Sequence, residues 1–113
     1  MPSVQPPDRA PGTAPIFAAL GDPTRLALVA KLADGNARSI SALSVDSELT
    51  RQGVTKHLRV LEEAGLVARA RSGRETRYTL RAERIDEARA YLRDVAEQWD
   101  RALERLRAFV EGP

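Results

Sequence analysis

The chain has no cysteine, a single histidine, a single tryptophan, and aromatic side chains amounting to only 4% of its 113 residues. The missing thiols exclude disulfides, thiolate nucleophiles and thiolate metal sites. One histidine, His57, unaccompanied by cysteine makes a poor transition-metal site. The sequence also has no glycine-rich loop suited to cradling phosphate and no convincing carboxylate pair, so neither an enzyme nor a cofactor is expected. No apolar run approaches the roughly 20 residues that span a bilayer. The N-terminus lacks the charged and apolar pattern of a signal peptide. The expected location is the cytoplasm, with no membrane partner.

The residues present suit one globular domain, with 42% hydrophobic and 30% charged side chains. A chain of this size can bury a core but is marginal alone. Its net charge of +2 is unevenly spread. Between Thr50 and Arg81 stand eight basic residues (Arg51, Lys56, Arg59, Arg69, Arg71, Arg74, Arg77, Arg81) against three acidic ones (Glu62, Glu63, Glu75). The remainder of the chain is therefore net acidic. A basic third suggests a polyanionic partner, although charge alone fits a solvated surface equally well.

Residues 1–15 carry five of the seven prolines and almost no large apolar side chain. Such a segment buries too little to offset its ordering entropy, and residues 1–13 are expected to form a disordered tail. The folded domain then runs over 14–113. A short apolar helix should begin near Thr13, carry Ile16, Phe17 and Leu20, and end at Gly21. Asp22-Pro23 supplies an N-cap and a proline at the first helical position. The next helix would bury Leu26, Val29, Ala30 and Leu32 or Ala33, and stop at Asp34-Gly35-Asn36. Ser39 can cap a further helix over ISALSVDSE, with Ile40, Leu43 and Val45 inward. Thr50 caps the following one, and Gly65 is placed as its left-handed terminator. Two helices joined by a turn around Ser47–Leu49 give helix-turn-helix organisation. VARAR (67–71) and TRYTL (76–80) alternate with period two about a glycine-containing turn, which predicts a β-hairpin.

From Glu83 to about Val110 the pattern is that of one long helix. Ile85, Ala88, Leu92, Val95, Trp99, Leu103, Leu106 and Val110 share one side of a 3.6-residue wheel, flanked by Tyr91 and Phe109. A helix of this length reaches about 40 Å, roughly the width of the whole domain. A second copy about a two-fold axis is the simplest cover for the stripe; cover by the chain's own first helix and body is the other option. The expected architecture is mainly α with a β-hairpin wing: about five helices, pairing through the first and last as a homodimer. Its dimer face would comprise Ile16, Phe17, Leu20, Leu92, Val95, Trp99, Leu103, Leu106 and Val110.

On the helix LTRQGVTKHLRVLEEAG, Val54, Leu58 and Leu61 share the core side, and Gln52, Thr55, Lys56 and Arg59 lie opposite. An α-helix fits the major groove of DNA, where its first turns meet base edges. Arg or Lys can pair with guanine O6 and N7, Gln with adenine N6 and N7, and Thr with a phosphate or a thymine methyl. The same face also suits simple solvation. The preceding turn and the following basic hairpin, with Arg71, Arg74 and Arg77 around its turn, favour the first reading. His57, at the margin of the core face, reads first as a packed or hydrogen-bonded residue, and second as a phosphate contact. Gly53 costs about 0.8–1 kcal/mol in a helix relative to alanine; it either permits close approach to DNA or is tolerated near the helix end.

The run DPTRLALVAKLADG, then LTRQGVTKHLRVLEEAGLV, then GRETRYTL, resembles the ArsR/SmtB family of small winged-helix repressors over roughly residues 14–110. Thr50, Val54, Thr55, Lys56, His57, Leu58, Leu61, Ala64, Gly65, Leu66 and Val67 carry the most specific wording. The last helix, AYLRDVAEQWDRALERLRAF, is similar to the branch without metal ligands. The resemblance implies a homodimer, an inverted-repeat operator in double-stranded DNA near the protein's own promoter, and repression relieved by a signal. It implies that Thr50, Arg51, Gln52, Thr55 and Lys56 enter the major groove, and that Arg59 and Arg74 approach the backbone.

The metal and arsenical sensors of that family use cysteines before the recognition helix or Asp/His/Glu on the last one. Here SISALSVDSE has no cysteine and the last helix no histidine, so a non-thiol signal is expected. Asp94, Glu97 and Asp100 read as solvated charges rather than a metal site. A small apolar effector near Trp99 and Phe17 would suit the dimer helices, and regulation by protein level alone is the other option. The alternative function is a winged-helix module that binds an acidic protein and no operator.

Overall fold

The computed structural model describes residues 10–112. Five helices and three strands follow in the order α1 (Ala10–Leu20), α2 (Pro23–Lys31), β1 (Arg38–Ser39), α3 (Ile40–Leu43), α4 (Arg51–Glu63), β2 (Val67–Ser72), β3 (Glu75–Leu80) and α5 (Ala82–Glu111). The strands form one antiparallel sheet in the order β1-β3-β2. This is a winged helix-turn-helix.

Local chemistry sets the boundaries. Pro23 occupies the first turn of α2, and the Asp22 carboxylate accepts the Arg25 N–H at 3.0 Å. The Ser39 and Thr50 hydroxyl oxygens cap α3 and α4 in the same way, accepting from Ala42 N and Gly53 N at 3.1 Å each. Each satisfies a donor that the helix start would otherwise leave open. α4 ends in a Schellman motif: Leu66 N–H donates to the Leu61 carbonyl, Gly65 N–H to that of Glu62, both at 2.9 Å. Gly65 stands at φ +77°, where a side chain would be strained. In the wing, Ser72 pairs with Glu75 across Gly73-Arg74, and Gly73 alone of the two has positive φ, at +63°. Glycine first in a two-residue loop suits a type II′ turn, whose twist matches the strands it joins.

The core gathers Ile16 and Ala19 of α1, Leu28 of α2, Leu32, Leu43 of α3, and Val54, Leu58 and Leu61 of α4. Ala64 and Leu66 between α4 and the wing, Val67 and Tyr78 of the wing, and Ala88 of α5 complete it.

Several expectations need correction. Helix α1 begins at Ala10, so residues 10–13 belong to it rather than to the tail; the rest of the expected tail, residues 1–9, lies outside the described residues. Of the stripe expected on α2, Leu32 at its C-cap is buried and Val29 half-buried, but Leu26 and Ala30 face outward and Leu28 takes the interior instead. The stretch LALVA offers two apolar sides about half a turn apart, and periodicity alone does not choose between them. α3 is only four residues long, and Val45 is 75% exposed rather than inward. Ser44 turns its hydroxyl back onto the Ile40 carbonyl at 2.7 Å, a local bond that competes with helix continuation. Strand β1, which pairs Arg38 with Tyr78 and Ser39 with Arg77, had no sequence signal, since two residues are too few for a period.

Candidate nucleic-acid interface

α4 rests on the body of the domain through Val54, Leu58 and Leu61, all fully buried. This fixes what its other side presents. Arg51, Gln52, Thr55, Lys56 and Arg59 line one open hollow on the outer face, with Ile40 of α3 as its apolar wall. Five of the seven residues expected to meet DNA thus converge. Thr50 stands at the edge, exposed, with its oxygen engaged by Gly53 N–H. Arg74 is not part of the hollow; it is exposed at the tip of the wing.

Hydrogen bonding limits what each group can offer. The Thr55 hydroxyl donates to the Arg51 carbonyl at 2.7 Å, so its proton is committed and its methyl and lone pair remain. Thr50 is the converse, with its oxygen accepting and its proton still available.

The basic third of the chain divides in two. Arg69 pairs with Glu62 at 3.4 Å, Arg77 with Glu75 at 3.2 Å and Arg81 with Glu83 at 2.8 Å. Among the described residues no carboxylate pairs with Arg51, Lys56, Arg59, Arg71 or Arg74, the cations of the hollow and the wing turn. Charge composition alone does not separate these eight cations. Arg77–Glu75 and Arg81–Glu83 are each two residues apart, whereas Arg69–Glu62 joins β2 to α4.

His57 is held, not free. Its Nδ1 lies 3.1 Å from Arg25 Nη1 and 3.8 Å from the Asp22 carboxylate, while Arg25 Nε donates to the Ala19 carbonyl. Arg25 thereby joins the end of α1, the start of α2 and the middle of α4. The Arg25 backbone N–H, and then the nearby Arg25 and His57 charges, hold the Asp22 carboxyl below its usual range. The partner, Arg25, stands 32 residues away in the chain, beyond any local signal around the histidine.

The apolar residues assigned to a dimer face separate as well. Ile16 is fully buried in the chain's own core and cannot lie on such a face. Phe17 and Leu20 pack partly against that core, and Phe17 meets Tyr91 with ring centroids 5.6 Å apart. Val95 is half-buried. Leu92, Trp99, Leu103 and Leu106 are 54%, 52%, 56% and 48% exposed, and Val110 is exposed beyond them. Among the described residues no group of three or more potential ligands could hold a metal ion, and no helix is long and apolar enough to cross a membrane.

Comparison with known proteins agrees with this geometry. Residues 20–70 match the profile of a helix-turn-helix domain family. The chain is 42% identical over 65 residues to the uncharacterised HTH-type transcriptional regulator YuzN of Bacillus subtilis, covering 52% of this chain and 71% of that one. The solved structure of an ArsR-like transcriptional regulator from Rhodococcus sp. RHA1 superposes with a TM-score of 0.75 at 32% identity, over 88% of this chain and 92% of that one. The transcriptional repressor BigR from Xylella fastidiosa gives 0.61 at 28%, over 73% and 84%. These relatives are regulators of transcription, not enzymes. With its capped, cation-lined α4, its hairpin wing and these relatives, the chain belongs to the ArsR family of helix-turn-helix, DNA-binding transcriptional regulators.

Proposed function

We propose that the protein is a dimeric, sequence-specific repressor that occupies an inverted-repeat operator, its own operon among its targets, and is released by a signal that needs no thiol. One observation carries this reading: within the basic third, the cations without carboxylate partners among the described residues lie on the outer side of α4 and at the wing turn, while Arg69, Arg77 and Arg81 are paired. The first turns of α4 enter the major groove. Arg51 and Lys56 address guanine O6 and N7, and Gln52 addresses adenine. Thr55 presents its methyl to thymine, because its proton is already given to the Arg51 carbonyl. Thr50 donates its hydroxyl to a phosphate, Arg59 follows the backbone, and Arg74 reaches the flanking duplex from the wing.

The exposed stripe of α5, with Leu92, Trp99, Leu103, Leu106 and Val110, pairs with the same stripe of a second chain. An isologous pair sets two α4 helices about 34 Å apart, one turn of duplex. Bound there, the dimer excludes polymerase.

Selection of bound duplexes from a random pool tests the reading. A pseudo-palindrome is expected, with affinity falling steeply as salt rises. Arg51→Ala and Gln52→Ala relax base preference at defined positions; Lys56→Ala and Arg74→Ala weaken binding to all sequences and lower the salt slope by about one each. A folded protein that retains no duplex at low ionic strength refutes the proposal and leaves the winged-helix protein-interaction module in its place.

A further inference from the structure

α4 is 13 residues long, about 20 Å from end to end. Its contact residues sit in the first turns, so small rotations about its far end are amplified there. A swing of about 5° moves the first turn by nearly 2 Å, enough to lose a hydrogen bond whose useful range is a few tenths of an ångström. What fixes the far end is therefore part of how the near end reads.

The Schellman motif satisfies the carbonyls of Leu61 and Glu62 and leaves that of Ala64 open. Arg84, in the first turn of α5, fills that position. Its Nε and Nη2 both donate to the Ala64 carbonyl, at 3.3 and 3.1 Å, and Nη1 pairs with Glu87. A guanidinium at a helix C-terminus also meets the negative end of the helix dipole. The approach depends on Gly65: a Cβ there would lie 3.0 Å from Arg84 Nε. Beside this clasp, Arg81 N–H donates to the Leu66 carbonyl at 2.8 Å. The start of α5 is thus tied directly to the end of α4, bypassing the wing.

We propose that Arg84 is a positioning residue for DNA recognition: through its forked grip on the Ala64 carbonyl it sets the angle of α4 relative to α5. The inference rests on α4 being the helix that enters the groove. The grip gives any change in α5 a direct route to the reading helix. It touches no base, so it acts on discrimination between sequences, whereas a phosphate contact would act on every duplex alike.

The experiment uses the full chain and compares affinity for the selected operator with affinity for a scrambled duplex of equal length, at a temperature where circular dichroism shows each variant folded. Arg84→Ala and Arg84→Gln are expected to lose about tenfold on the operator, the scale set by one well-placed base contact, and less than twofold on the scrambled duplex. Arg84→Lys, which can still place one donor on the carbonyl, recovers part of the loss. Should Arg84→Ala fail to fold, Gly65→Asn takes its place. Asparagine tolerates the left-handed backbone, but its Cβ displaces the guanidinium, and the same selective loss is expected. Equal losses on both duplexes, or an unchanged ratio, overturn the inference while the proposed function stands. A wild-type chain that shows no preference for any duplex overturns both.

Discussion

Two apolar faces of this molecule look alike in sequence and meet different fates. The inner face of α4 repeats Val54, Leu58 and Leu61, and all three are fully buried by the chain's own body. The α5 face repeats Leu92, Trp99, Leu103 and Leu106 at comparable spacing, and each keeps about half its surface in contact with solvent. Periodicity reports that a face is apolar. It does not report what covers it, because covering depends on which elements lie within reach. α4 sits among α1, α2, α3 and β2, whereas α5 runs 30 residues, about 45 Å, and outgrows the body beneath it.

Substitution on the two faces gives the sharpest contrast. Leu58→Ala is expected to lower stability by about 3 kcal/mol through lost burial and a cavity, at every protein concentration. Leu103→Ala should instead shift the unfolding midpoint only where the chain is associated, with the effect vanishing on dilution. Denaturant melts at two concentrations a hundredfold apart, with sedimentation to follow mass, separate them. A Leu103→Ala midpoint that ignores dilution would mean that the α5 stripe is not covered by a second copy.

A smaller contrast lies between two glycines, Gly53 in the first turn of α4 and Gly65 just past its end. Gly65 stands at φ +77°, and a Cβ there would crowd Arg84. Gly65→Ala should therefore cost about 1–2 kcal/mol. At Gly53 a Cβ would meet Leu49 and Thr50 at 3.4 and 3.5 Å, ordinary contact. Gly53→Ala should accordingly stabilise by roughly 0.5–1 kcal/mol, since helix interiors favour alanine. Thermal melts decide both, and a destabilised Gly53→Ala would show that the contacts with Leu49 and Thr50 outweigh the helix preference for alanine.

The smallest effect belongs to pH. The Asp22 carboxyl is held below its usual range, first by the Arg25 backbone N–H. Its contribution to folding is therefore fully present above the ordinary carboxylate pKa and is lost as pH falls through the lowered folded value. Asp22→Asn should flatten the acid limb of stability against pH below about 4. An unaltered limb would show that the cap carries no charge-dependent stability.

Much of this was legible beforehand, for identifiable reasons. The caps Asp22, Ser39 and Thr50, the terminator Gly65 and the wing turn are local chemistry, and local chemistry is written residue by residue. The burial of α4 followed from a clean separation of apolar and polar positions. What escaped was non-local or ambiguous. Nothing near Leu26 says that Leu28 will win the interior. Nothing near Ile16 says that the core will claim it before any partner could. The pairing of Arg69 depended on Glu62 arriving from α4. The convergence of Arg51 through Arg59 was foreseen; the apolar wall of Ile40 beside them was not, because α3 proved a single turn and left that side chain half-buried.

The two residues of β1 have an influence beyond their length. Through Arg38 and Ser39 they hydrogen-bond to the middle of β3, and without a break the chain continues into α3. The sheet's central strand, β3, is thereby tied to the scaffold, and the turn at Gly73-Arg74 projects beyond that tie. A ligand meeting α4 and the wing encounters one preassembled body, and the ordering entropy of a loose arm does not have to be supplied at the moment of contact.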